Sequence, residues 1–337
     1  MATAFQYVLQ SWRFAKKRPL GTTLTVVILA IGMGASTAIL SVVDAWLVRD
    51  LPFPNATRLV TIWRTESVKS RTPHGSPEYV SFKELLHENT VFDAVAAYSW
   101  RAYTLTGTGD PERLLAKAVT IDMFSALGVS PAIGRTFQPD DLTRTEPVML
   151  SYALWDRRFG RSPEVLSTAI LLNEKPYTVV GVMPSGFSIP SIGQPPKRFD
   201  DIWTLLDDRD PQIESHPEAA VGIVARLKPH VRLTDAEQEV GSIQERTDLA
   251  YSVGRQDPGV IVVGLQDDLA RSIRPALYIL LAAAALLLGI ATLNAIILLL
   301  GHAHDSLRDW AVRCALGAGL RHLAYHLLTQ SMLISVI

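Results

Sequence analysis

Two stretches without a charged side chain, 20–43 and 276–300, set most of what this chain can fold into. A helix needs about 20 apolar residues to cross the hydrocarbon core of a bilayer, and each stretch is that long. Between them lies a polar segment, about 49–274, that reads as a folded soluble domain. The 48% hydrophobic content is an average over oily ends and a soluble middle, and it fits neither.

Arg13, Lys16, Lys17 and Arg18 precede the first apolar run, as in a signal peptide, but the run is longer than a signal core and lacks a clean cleavage site. An anchor is expected. The same basic cluster places the N-terminus in the cytoplasm, two crossings return the chain there, and Arg308, Arg313 and Arg321 again satisfy the positive-inside preference. The long middle segment is then extracytoplasmic. The single cysteine, Cys314, lies in the expected cytoplasmic loop, so the outer domain has no internal disulfide and depends on its core. A net charge of -1 offers no footprint for nucleic acid.

Within the soluble segment, 59–64 alternates as a strand, and Ser76-Pro77-Glu78 opens a helix whose Tyr79, Phe82 and Leu86 share a face. Strands follow at 95–105 and 113–120, joined by a turn at 107–111. At the other end, 221–227 is a strand, Thr234-Asp235-Ala236-Glu237 is a capping box opening a helix to about Tyr251, and 260–265 is a strand. Two βαβ units at the ends of one domain pair naturally as a split βαβ fold of ferredoxin-like type. The middle, 121–220, is a mixed α/β insertion with helices closed by Gly128 and Gly160, a hairpin at 168–183, a loop at 184–196 and a short strand at 202–205.

The expected fold class is therefore α+β: a membrane protein with two complete transmembrane helices, the start of a third, and a large extracytoplasmic domain. Its parts are a cytoplasmic segment 1–19, a first span 20–48, a core domain 49–274 with halves 49–120 and 221–274 around the insertion 121–220, a second span 275–300, a cytoplasmic loop 301–322 and a third apolar segment 323–337. In the spans, Ala30, Gly34 and Ala38 recur every four residues, as do Ala285 and Gly289, which suits close helix packing; Asn294 suits an interhelical hydrogen bond. No phosphate-binding loop of the G-x-x-x-x-G-K-[ST] type is present, so ATP hydrolysis of that kind belongs to a partner, and no catalytic, metal or cofactor-binding constellation stands out.

The tail from Arg308 to Ala318, with Asp309-Trp310-Ala311-Val312-Arg313-Cys314-Ala315-Leu316-Gly317 inside it, resembles the loop after the second span in MacB/FtsX-like ABC transporter permeases. Further matches are Gly32-Met33-Gly34-Ala35, Leu51-Pro52-Phe53-Pro54, Leu127-Gly128-Val129, Gly134-Arg135-Thr136-Phe137, Tyr177 to Pro184 and Ala225-Arg226-Leu227-Lys228-Pro229. They spread over nearly the whole chain and are closest to the orphan duplicated permeases. Asp309, Trp310 and Gln330 depart from the family's usual residues. Because 323–337 is shorter than a span and the family continues, the chain reads as truncated after its second span.

The resemblance implies a permease subunit of the bacterial inner membrane, not itself an enzyme and without a cofactor, that works in a lipid bilayer with a cytoplasmic ABC ATPase. Arg308, Asp309, Arg313, Ala315, Leu316 and Gly317 are then the ATPase-coupling interface; the alternative is that they fix topology and solvate an interfacial helix. It also implies a dimer of permease halves, a periplasmic partner protein and an amphiphile, peptide or lipoprotein as cargo. The runner-up is a non-transporting anchored regulator whose periplasmic domain binds a cell-wall enzyme or signal.

Overall fold

A computed structural model describes residues 19–44, 51–67, 69–107, 109–144, 146–190, 200–216, 218–251 and 259–315. The chain divides into two compact units, a central one from Asp50–Ser272 and a helical one from the flanking segments. It is a mixed α/β protein with apolar helices at both ends of its central domain.

The helical unit contains α1 (Pro19–Val43) and the 42-residue helix α9 (Arg274–Ala315). In α9 the stretch Arg274–Asn294 is long and apolar enough to cross a membrane; in α1 the apolar helix among the described residues is the shorter Ala30–Val43. At 1.5 Å per residue α9 is about 63 Å long, twice the hydrocarbon thickness. No break separates its apolar part from the polar 301–315.

The central unit is built on one sheet in the order β11-β1-β10-β3-β4-β9-β6-β8-β5. These strands are β1 (Leu59–Thr65), β3 (Phe92–Thr106), β4 (Glu112–Val119), β5 (Ile133–Gly134), β6 (Pro147–Leu150), β8 (Lys175–Val182), β9 (Ile202–Leu205), β10 (Gly222–Leu227) and β11 (Gly259–Gly264). Off that path, β2 (Pro73–Gly75) pairs with β1, and β7 (Ala169–Leu172) with β3 and β8. Strand β10 runs antiparallel to both neighbours, β1 and β3, and β1 runs antiparallel to β10 and β11. The inserted strands continue the same sheet, because β4 takes β9 as a parallel neighbour.

Alternation along the strands buries both faces. Val60 and Ile62 of β1, Ile223 and Ala225 of β10, and Val95 and Ala97 of β3 face a core beneath two helices, α2 (Tyr79–Glu88) and α7 (Leu233–Tyr251). Leu59, Val224, Ala96 and Tyr98 face a second core with Met123, Phe124 and Leu127 of α3 (Met123–Leu127), Phe137 and Trp203. A third core fills the insertion between β6, β7, β8 and α5 (Tyr152–Phe159). The short helices α4 (Asp141–Arg144) and α6 (Pro211–Ser215) and the helix α8 (Leu265–Arg271) complete the unit.

Three local expectations change. Helix α2 starts at Tyr79 with Glu78 as its N-cap, because Pro77 accepts a hydrogen bond from Val221 and Glu78 bridges Ala220, which keeps both residues extended. Leu85, not Leu86, joins Tyr79 and Phe82 in the core; Leu86 is exposed. Helix α7 begins at Leu233, one residue before the expected cap; the Thr234 hydroxyl donates to Asp235 and Glu237 pairs with Arg71, so the two residues do not close the expected capping box.

Candidate functional site

The central unit is entered at residues 51–55 and left through α8, and both junctions are fastened to the core around Phe124 and Trp203. At the entry, Leu51 and Phe53 are half-buried against that core, and the Phe53 amide donates to the Leu51 carbonyl at 2.7 Å, which turns the chain sharply. Asn55 adopts a left-handed conformation (φ 50) and leads into a 3-10 turn, Ala56–Arg58. Arg226 of β10 gathers these pieces: its guanidinium donates to the carbonyls of Pro54 (2.9 Å), Asn55 (3.3 Å) and Ala126 (2.8 Å). Burial, and then the neighbouring Arg58, hold the Arg226 pKa below the ordinary arginine value. Three carbonyl acceptors offset part of that desolvation.

At the exit, Leu265 is fully buried in the same core and Leu269 packs against it. Asp268 is 1% exposed and accepts from Thr61 Oγ1 and Trp63 Nε1, both at 2.5 Å, so α8 is pinned to β1. Arg271 stands 3.7 Å from its other carboxylate oxygen, which has no hydrogen-bond partner. Helix α8 also packs on the 3-10 turn Ala56–Arg58, so the two junctions meet directly.

Deeper in the unit are two buried cations. Arg64 of β1 is fully buried and donates to both carboxylate oxygens of Asp248 at 3.0 and 3.1 Å, tying β1 to the end of α7, with Glu78 3.7 Å away. Lys117 of β4 lies 3.0 Å from Asp200 and 4.4 Å from the centre of the Trp100 ring. Burial pushes the Lys117 pKa down against the opposing pull of Asp200.

In the helical unit α1 and α9 pack closely at Gly32, where an added Cβ would stand 2.9 Å from the Ala291 Cβ. Ser36 Oγ donates to the Ala284 carbonyl at 3.4 Å, and Leu277, Ala284 and Ala291 are buried at seven-residue spacing. The small residues singled out in the sequence lie elsewhere. Ala30, Gly34, Ala38, Ala285 and Gly289 are exposed, a Cβ at Gly34 or Gly289 would meet nothing within 4 Å, and Asn294 is half-buried. Two residues along a helix turn the direction by about 200°, so Gly32 and Gly34 face opposite ways. Arg308, Asp309, Arg313 and Ala315 fall in the last turns of α9, while Leu316 and Gly317 lie outside the described residues.

The family model of the MacB-like periplasmic core domain matches residues 22–243. The chain belongs to this family. Its members' core domain is periplasmic and membrane-anchored, and the helix Arg274–Asn294 has the length such an anchor needs. Among solved structures the chain is similar to the periplasmic region of MacB from Actinobacillus actinomycetemcomitans, at 15% identity and a TM-score of 0.46, over 65% of this chain and 94% of that one. It is also similar to the extracellular domain of the noncanonic ABC-type transporter YknZ from Gram-positive bacteria, at 12% identity and a TM-score of 0.44, over 61% and 99% of the two chains. No curated protein matches. The junction residues Arg226, Asp268 and Phe53 were missed in the sequence, although Arg226 and Phe53 stood inside segments shared with the MacB-like family.

Proposed function

We propose that this chain is a permease subunit of a MacB/FtsX-like ABC system, in which a cytoplasmic ATPase moves the end of α9 and the motion passes to a periplasmic domain. The observation that carries the reading is the continuity of α9: one unbroken helix joins the apolar stretch Arg274–Asn294 to Arg308, Asp309 and Arg313. A helix bends far less readily than a loop, so a push at its polar end is passed along the span rather than absorbed. In this reading 20–48 and 275–300 both cross the membrane, the N-terminus is cytoplasmic and 49–274 is periplasmic. The cargo is an amphiphile, peptide or lipoprotein.

The strand order β11-β1-β10-β3 supports the split βαβ reading of the periplasmic domain, since each βαβ unit leaves a gap that one strand of the other fills. It also supports a mechanical role. Interleaved units move as one body, and both junctions are pinned to that body by Arg226 and Asp268.

The test is recovery of the full-length chain from its own membranes in mild detergent, with a photo-crosslinking residue at Arg308 and, as control, at Tyr278. An ABC ATPase cross-linked from position 308 and not from 278 is the expected result. Absence of any ATPase from both removes the transport reading and leaves the anchored regulator.

A further inference from the structure

Lys117 and Asp200 form a buried ion pair that the pairing of their strands does not require. Strands β4 and β9 already run side by side through Ala116 and Ile202, Lys117 and Trp203, Ala118 and Thr204, and Val119 and Leu205. Burying two charges costs several kcal/mol per ion before their attraction is counted. What the pair holds in addition is the connection that follows β8. Lys117 Nζ donates to the Ile189 carbonyl at 2.6 Å, and Asp200 accepts from the Ser188 hydroxyl at 3.1 Å and the Ile189 amide at 3.3 Å. Ile189 is 1% exposed.

Two residues earlier, Phe187 lies among three aromatic rings from three different elements. Its ring centre is 5.3 Å from Trp203 of β9, 6.0 Å from Phe124 of α3 and 6.5 Å, edge to face, from Phe53 of the entry junction. Gly186, at φ 78, and the bond from the Phe187 amide to the Pro184 carbonyl (3.2 Å) make a tight turn that presents this ring. The short segment 187–189 therefore grips the entry junction with its ring and the β4–β9 pair with its backbone.

We infer that Phe187, Ser188 and Ile189, held by Lys117 and Asp200, form a clasp that couples the entry junction at Phe53 to the inserted strands. Displacing 51–55 shifts Phe187, and the polar end transmits the shift to β9, because a buried ion pair tolerates little change in geometry and aromatic edge contacts are directional. The inference concerns contacts inside the central unit and stands whether or not an ATPase drives the junction.

Amide hydrogen exchange on the full-length chain in nanodiscs tests it, with F53A, F187A and the double variant. An aromatic pair contributes about 0.5–1.5 kcal/mol beyond burial, so F53A is expected to speed exchange at 202–205 by about 2- to 10-fold. The double variant is expected to exchange there no faster than F187A, while amides of β1 and β11 stay unchanged. Unchanged exchange at 202–205 in F53A, multiplicative effects in the double variant, or equal acceleration in β1 and β11 would each overturn the coupling. If an alanine variant does not fold, F53L and F187L keep the apolar volume, lose the ring contact and are read in the same way.

Discussion

Lys117 Nζ stands 3.0 Å from Asp200 Oδ2 with both side chains 1% exposed, although 83 positions separate them in the chain. Removing one partner leaves an uncompensated buried charge, a loss of about 3–5 kcal/mol. The variant D200L is therefore expected to lower the denaturant midpoint of the central unit sharply. K117M/D200L removes both charges and is expected to recover most of the loss. A double variant as unstable as D200L would show that the carboxylate serves mainly its bonds to Ser188 and Ile189.

The helical unit separates two glycines that look alike in the sequence. At Gly32 a side chain meets Ala291, whereas at Gly34 it meets open space. G32V is expected to cost about 1–3 kcal/mol through overpacking. G34A, which only exchanges glycine for a better helix former, is expected to be neutral or slightly stabilising. Thermal unfolding of the full chain in nanodiscs measures both, and equal effects would contradict the packing at Gly32.

Asp268 fastens the exit junction through Thr61 and Trp63. D268A leaves the Trp63 indole N–H without an acceptor and the Thr61 hydroxyl with only the Val263 carbonyl at 3.5 Å, at about 1–3 kcal/mol for a buried group left unsatisfied. Faster exchange in α8 and a shift of the tryptophan emission are expected together. W63F removes one donor, so in that background D268A is expected to cost less, and an undiminished cost would place the effect elsewhere.

Asp141 gives the insertion a defined response to acid. Arg135 donates to both of its carboxylate oxygens at 2.6 and 2.8 Å and the Gln138 amide donates at 2.8 Å; the Arg135 bond, first among these, holds its pKa below the ordinary 3.8. A depressed carboxylate stabilises the fold above its unfolded pKa and loses that contribution as pH falls through the folded one. Arg135 is partly exposed, which reduces the effect to about 1 kcal/mol. The stability gap between wild type and D141N is thus expected to be constant near neutrality and to narrow below pH 3.8. Thermal melts of the full chain across that range measure it; a gap independent of pH would rule it out.

Most strands were legible because their signals are local: β-branched alternation at 59–65 and 222–227, and Asn173-Glu174, both at positive φ, turning β7 into β8. Strands β2, β5 and β6 were not, because runs of two to four residues are too short to show a period. Gly128 and Gly160, also at positive φ, close the helices where glycine was expected to do so. Helix starts were harder, because Glu78 is held extended by Ala220, 142 positions away, which no window around Ser76 contains. The junction anchors were illegible for the same reason, Thr61 and Asp268 being 207 positions apart. In the helical unit the small-residue motif was visible, but Gly32-Met33-Gly34 offers two faces and only the position of α9 selects one.

The continuity of α9 makes the sharpest functional prediction. Helix interiors lose a hydrogen bond and suffer a clash at proline, costing about 3 kcal/mol and introducing a kink or break. Ala303 lies in α9 between the apolar stretch and Arg308, so A303P interrupts the helix without touching the residues proposed for ATPase contact. If motion travels along α9, the ATPase is expected to co-purify with A303P at the wild-type level. Its nucleotide-dependent effect on amide exchange at 51–55 and in α8 is expected to disappear. A303G, which softens the helix by about 1 kcal/mol without removing the N–H, is expected to weaken that effect only partly. A nucleotide response in the central unit that survives A303P unchanged would mean that the signal crosses the membrane by another route, and the rigid-helix account of this permease would fall.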